Sequence, residues 1–155
     1  MSADADPGAA RPGVLVTRPE PSASELAAAL AAEGWAPVVS PVLVAREVAW
    51  EGDAAGADAL AFTSAAAIRA APRGRGLEAL PVWAVGEATA EAARAAGFGP
   101  VRAGPSDAAA LAREMLAALP RGVAVLHARG RHGTAGFAEA LEAGGLRVRE
   151  AVVYE

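Results

Sequence analysis

The hydrophobic pattern begins at Val14-Leu15-Val16, a short apolar run of the kind a buried strand presents. It stops at Thr17-Arg18-Pro19. Leu26 and Leu30, spaced i and i+4 within Ser24–Glu33, predict a helix that Gly34 ends. A second apolar stretch, Val38–Val48, is interrupted by Pro41, which suits a crossing connector better than a central strand. After Asp53 the pattern becomes regular. Strands are predicted at Ala57–Phe62, Val82–Val85, Pro100–Ala103, Val123–His127 and Leu146–Tyr154. Helices are predicted at Ala65–Ala71, at Glu87–Ala96 closed by Gly97, from a cap at Ser106 or Asp107 through Leu119, and at Gly133–Ala143. Pro72–Gly76 reads as a loop and residues 1–12 as a disordered lead.

Strands alternating with helices make βαβ units, so the expected fold is α/β: a doubly wound parallel sheet, a flavodoxin-like lobe, preceded by a β-α-β opening. The length of 155 residues fits about one domain of ~100–200 residues and can bury a real core. Alanine makes up more than a quarter of the chain, so the helices rest on the spacing of Leu, Ile, Phe and Met rather than on apolarity as a whole.

Composition then removes whole classes of chemistry. There is no cysteine, hence no disulfide, thiolate zinc site or cysteine nucleophile. All 14 basic residues are arginine, which excludes Schiff-base chemistry and a P-loop lysine. The net charge of −4 argues against sequence-blind nucleic-acid binding, which needs a basic face. No apolar run approaches the ~20 residues of a membrane helix, and the acidic, Gly/Pro-spaced N-terminus does not read as a secretory signal. A cytoplasmic location is the expectation.

In an open parallel sheet, ligands bind beyond the carboxyl ends of the strands. Four strand-to-helix turns carry small polar or glycine residues: Thr17-Arg18-Pro19, Thr63-Ser64-Ala65, Gly86-Glu87-Ala88-Thr89 and Arg129-Gly130-Arg131-His132-Gly133. Helix-start amides there suit carboxylate or phosphate oxygens. Hydroxyls of Ser64 and Thr89, and the arginines 18, 129 and 131, would add further donors. Each feature also has a plain structural reading: Ser64 and Thr89 as helix-start residues, Gly86 and Gly130 as turns needing φ > 0, His127 as a hydrogen-bonded core residue. Two histidines without an acidic cluster make a poor metal site. G-x-G-x-x-G, G-x-x-x-x-G-K-[ST] and G-x-S-x-G are all absent.

At the same turns the chain resembles the uroporphyrinogen-III synthase family. The matching pieces are V-L-V-T-R-P at 14–19, A-F-T-S-A-A-A at 61–67, A-V-G-E-A-T-A at 84–90, A-A-G-F at 95–98, L-H-A-R-G at 126–130 and A-V-V-Y at 151–154. The resemblance implies a lyase that closes linear hydroxymethylbilane with inversion of its last pyrrole ring and loss of water, without metal or organic cofactor. It implies two α/β lobes joined by a two-stranded connector. Residues 13–37 would open lobe one, 38–52 form the outgoing connector, 53–150 build lobe two, and 151–155 begin the return. Arg18, Thr63, Ser64, Ala65, Gly86, Thr89 and Gly130 match substrate-binding positions, and Tyr154 matches a candidate general acid, a phenol that keeps its proton at neutral pH. The family commonly has asparagine where this chain has Ala66. It also turns back into lobe one beyond the position of Glu155, so the expectation is a truncated form whose opening segment has little to cover its apolar face: a monomer if complete, self-associating if truncated. The other classes that fit are a non-catalytic α/β module binding a small anion or partner protein, and a lobe that dimerises to bury the opening segment.

Overall fold

In the computed structural model, residues 11–50, 54–74, 76–133 and 136–155 are described. Most of the lead at 1–12, the end of the connector at 51–52, Arg75 of the loop and residues 134–135 of the last expected helix lie outside them. The chain divides into two compact units, residues 1–45 and 46–155.

The first unit is a single β-α-β: β1 (Gly13–Val16), α1 (Ser22–Ala32) and β2 (Ala36–Val39), with β1 and β2 parallel and in register from Gly13↔Ala36 to Val16↔Val39. The stretch read as a connector from Val38 therefore starts inside a strand. Val38 and Val39 pair with β1, and Pro41 falls just after the strand, where its missing N–H costs no ladder bond. Helix α1 begins two residues earlier than the leucine spacing indicated and ends at the expected glycine, Gly34, with φ +88°.

The second unit carries β3 (Ala59–Phe62), α2 (Ala65–Ala70), β4 (Val82–Ala84), α3 (Gly86–Ala95), β5 (Val101–Ala103), α4 (Ala108–Ala118), β6 (Ala124–Gly130), α5 (Phe137–Ala143) and β7 (Arg147–Tyr154). All five strands are parallel, in the order β5-β4-β3-β6-β7. The chain winds outward from β3 in one direction and then in the other, as in flavodoxin, but in the order 3-2-1-4-5 counted within the sheet. Flavodoxin-type sheets run 2-1-3-4-5. The winding reverses between β3 and β6, and that places the switch point.

Side-chain alternation along β3 divides the core between the two faces. Leu60 and Phe62 join Ile68, Val82, Phe98, Leu126 and Val153 on one face, under α2 and α3. Ala59 and Ala61 face the other way with Trp83, Leu111, Met115, Val125, Phe137 and Leu141, under α4 and α5. Alanine on the second face leaves room for the large side chains of α4 and α5, so small and large residues interlock. Each buried Leu, Phe or Met contributes roughly 1.5–3 kcal/mol. Among the described residues, no helix is long and apolar enough to cross a membrane.

Beyond the sheet, β7 meets the chain that enters this unit. The Arg46 and Val48 amides donate to the Glu155 and Val153 carbonyls at 2.7 and 2.9 Å, the Glu155 amide donates to the Arg46 carbonyl at 2.9 Å, and Glu47 and Tyr154 form an antiparallel bridge.

Candidate functional site

A polar cleft of about 360 Å³ opens at the carboxyl ends of β3 and β6, the switch point of the sheet. Thr63 and Ser64 line it from the end of β3, Arg129, Gly130, His132 and Gly133 from the end of β6, Ser106 from the approach to α4, and Tyr154 from the end of β7. Two other depressions are placed differently. One, of about 290 Å³, lies at the opposite edge, against Ala55–Ala57 and Arg147–Arg149. A larger groove of about 670 Å³ runs between residues 47–50 and the end of α2.

Two hydroxyls meet in the cleft. Ser64 is the N-cap of α2, in extended conformation, and its Oγ accepts the Ala67 amide at 3.2 Å. The same Oγ lies 3.2 Å from the Tyr154 hydroxyl, across 90 residues of sequence. Gly130 makes this approach feasible. The register of β6 against β7 slips between Arg129 and Gly130, and a Cβ at Gly130 would sit 2.6 Å from the Tyr154 ring. Gly130 is thus required by close packing and not by a left-handed turn, since its φ is not positive; Gly86, with φ +69°, is the turn glycine of the two.

Behind these hydroxyls lies a chain of polar contacts. Thr63 Oγ1 is 3.2 Å from His127 Nε2, and His127 Nδ1 is 3.3 Å from Glu150 Oε1. Glu150 also holds Arg129, with Nε 2.8 Å from Oε1 and Nη2 3.0 Å from Oε2. His127 is buried, in tilted contact with the Phe137 ring at 4.6 Å between centroids. Burial pushes its imidazole below the ordinary value; Glu150 partly offsets this and Arg129 adds to it. Arg131 pairs with Glu155 at 2.8 Å. Arg129 and Arg131, expected as free anion donors, therefore already hold carboxylates.

Thr63, Ser64, Gly130 and Tyr154 come together in this cleft, with Ala65 directly after Ser64 at the start of α2. Gly86 and Thr89 do not line it. The Gly86 amide donates to the Gly104 and Pro105 carbonyls at 3.2 and 2.9 Å, and Thr89 is buried within α3. Arg18 is an exposed residue of the first unit, after β1. Among the described residues no cluster of three His, Asp or Glu side chains could hold a metal ion.

A family model described as uroporphyrinogen-III synthase HemD matches residues 24–155. The chain belongs to the uroporphyrinogen-III synthase family. Solved structures of this family share its fold. Uroporphyrinogen-III synthetase from Helicobacter pylori aligns with a TM-score of 0.62 at 22% identity, over 94% of this chain and 62% of that one. A mutant uroporphyrinogen III synthase from the extremely thermophilic bacterium Thermus thermophilus gives 0.60 at 19% identity over the same shares. The wild-type protein of that bacterium gives 0.51 at 21%. The chain thus spans 62% of the length of these synthases. No curated protein sequence matches it.

Within this family setting, the motif matches locate the turn residues but not their supports. Glu150 escapes a local reading because only the β6–β7 register, which sets His127 opposite Glu150, reveals its place. Ser106, legible in the sequence only as a helix-cap candidate, and Phe137 also line the cleft.

Proposed function

We propose that this chain carries the substrate cleft of a uroporphyrinogen-III synthase and acts on hydroxymethylbilane, a linear tetrapyrrole, with no metal or organic cofactor. The observation that carries this reading is the hydroxyl pair: Ser64 Oγ stands 3.2 Å from the Tyr154 hydroxyl, in a polar cleft at the switch point of a chain that belongs to this family.

The chemistry asks for one proton and good positioning. Tyr154 donates its phenolic proton to the hydroxymethyl oxygen, the C–O bond breaks, and water leaves with the bonding pair. The cation that remains is shared with the pyrrole nitrogen. The substituted carbon of the last ring attacks it to form a spiro intermediate, whose neighbouring C–C bond breaks and re-forms at the other ring carbon, reversing the ring. Loss of a ring-carbon proton restores aromaticity and balances the proton Tyr154 gave. Such a cation reacts by itself, so the protein's contribution is to hold the chain folded and to decide which carbon attacks. Ser64 fixes the phenol. The amides that open α2 at Ala65 donate to substrate carboxylates, which helix-start N–H groups hold without strong positive charge, and Gly130 is kept as a substrate contact on its sequence match. Thr63 contacts substrate directly. Gly86 and Thr89 shape the neighbouring helix, and Arg18 is kept as a substrate contact on its sequence match. The protein is proposed to work in the cytoplasm, apart from membranes and nucleic acid.

Incubation of the chain with hydroxymethylbilane, followed by separation of the product isomers, tests the reading. The type III isomer is expected in excess, and Tyr154→Phe lowers its rate by about a hundredfold or more. The type I isomer alone, the product of spontaneous closure, would refute catalysis by this chain.

A further inference from the structure

The contacts behind Thr63 settle which way its hydroxyl points. Glu150 is a carboxylate and offers acceptors alone, so the proton between it and His127 sits on Nδ1. A neutral imidazole protonated at Nδ1 presents a bare lone pair at Nε2. That lone pair, 3.2 Å from Thr63 Oγ1, takes the threonine's hydrogen. The threonine oxygen is then left with lone pairs toward the cleft and no hydrogen to give. We propose that His127, held by Glu150, positions Thr63 as a hydrogen-bond acceptor, and that Thr63 receives a pyrrole N–H of the linear tetrapyrrole rather than one of its carboxylates. This rests on the substrate reading above and deepens it.

The geometry supports a fixed polarity and not a casual contact. His127 lies in the middle of β6 with 2% of its surface exposed, so solvent does not compete for Nε2. From β7 the ring faces Glu150, from β6 itself Arg129, from β3 Thr63, and from α5 the Phe137 ring. Arg129 keeps Glu150 in place by two contacts of 2.8 and 3.0 Å. Burial lowers the imidazole pKa from its ordinary value, which favours the neutral ring. A second proton on His127 would reverse the arrangement: Nε2–H would donate to Thr63, freeing the threonine hydrogen for a carboxylate. Placing an acceptor among carboxylate-binding amides gives the site a means to tell ring from side arm, which a reaction that reverses one ring requires.

Two measurements on the whole chain test this. Nitrogen-15 spectra of histidine-labelled protein at pH 7 report the tautomer directly. His127 is expected with its proton on Nδ1 and with Nε2 bare; a protonated Nε2 overturns the proposal whatever the ligand. The second measurement titrates a monopyrrole dicarboxylate and its N-methyl counterpart. The N–H form is expected to bind roughly three- to tenfold tighter. Thr63→Val should erase that preference while Thr63→Ser keeps it, and His127→Phe should shrink it while strengthening a pyrrole-free dicarboxylate such as succinate. On acidification the wild-type preference should fall as His127 gains its second proton. A preference that survives in Thr63→Val is steric and contradicts the acceptor role; equal binding of the two pyrroles by wild type does the same, yet leaves the substrate reading standing. Binding of neither pyrrole, with the tautomer as expected, removes the substrate reading and the ligand assignment together.

Discussion

The two units begin with the same device and end differently. Each starts with an apolar strand, a polar turn and an alanine-rich helix leading to a parallel strand. In the second unit, every residue of β3 is buried, with Leu60 and Phe62 at 1% exposure. In the first, β1 buries Val16, while Leu15 is 62% exposed, and on β2 Val38 is 59% exposed. Val-Leu-Val and Ala-Leu-Ala-Phe look alike as strand signals. What separates them is the number of elements laid against each face: β3 has strands on both sides and helices on both faces, whereas β1 has one strand and one helix. Apolar sequence specifies a strand, and neighbours decide whether it becomes a core.

The largest effect expected from this contrast is in paired truncations. Phe62→Ala should cost about 3–5 kcal/mol in chemical denaturation, the cost of a cavity in a packed core. Leu15→Ala should stay within about 0.5 kcal/mol, as exposed substitutions do. Comparable losses at the two sites would break the comparison. Next comes Gly130→Ala, whose methyl meets the Tyr154 ring: a loss of about 1–3 kcal/mol is expected, with a changed tyrosine environment in near-ultraviolet circular dichroism. A silent substitution would show that the cleft is looser than the core beneath it.

Helix starts sharpen the contrast at smaller scale. Asp107 caps α4 as its N-cap residue, accepting the Ala110 amide at 2.8 Å, while in α1 the N-cap residue Pro21 offers no acceptor and Glu20, one residue earlier, takes the Ser24 amide at 3.1 Å. Asp107→Ala should cost about 1 kcal/mol in chemical denaturation. The smallest effect concerns pH, and it belongs to the second unit because both histidines are there. Folding lowers the pKa of His127, so as pH falls below the unfolded value of ~6.5 the unfolded chain takes up a proton first and stability declines. Above that value the effect vanishes. His127→Gln should flatten this slope in denaturation curves taken between neutral and mildly acidic pH, and an unchanged slope would assign it elsewhere.

Much of this architecture is legible in the residues. The runs at β3, β4 and β6, the caps at Ser64 and Asp107 and the helix-ending glycines are local signals, and the structure follows them. Where local reading fails, a distant partner is usually the reason. Val38 and Val39 look like connector until β1 pairs with them. Gly130 looks like a turn until the Tyr154 ring fills the space its side chain would need. The exception is α5, which begins at Phe137 rather than Gly133 because Gly136 adopts φ +101° and Glu139 accepts its amide at 2.9 Å. The cleft is legible as a set of turns after parallel strands. Its internal wiring, from Thr63 through His127 to Glu150 and Arg129, depends on strand register, which no local pattern encodes.

Amide chemical-shift mapping of the chain with hydroxymethylbilane reads directly where the proposed substrate sits. Shifts gathered at Thr63, Ser64, Gly130 and Tyr154 are the predicted result. Shifts centred instead on Ala55–Ala57 and Arg147–Arg149, at the other edge of the same sheet, would contradict it.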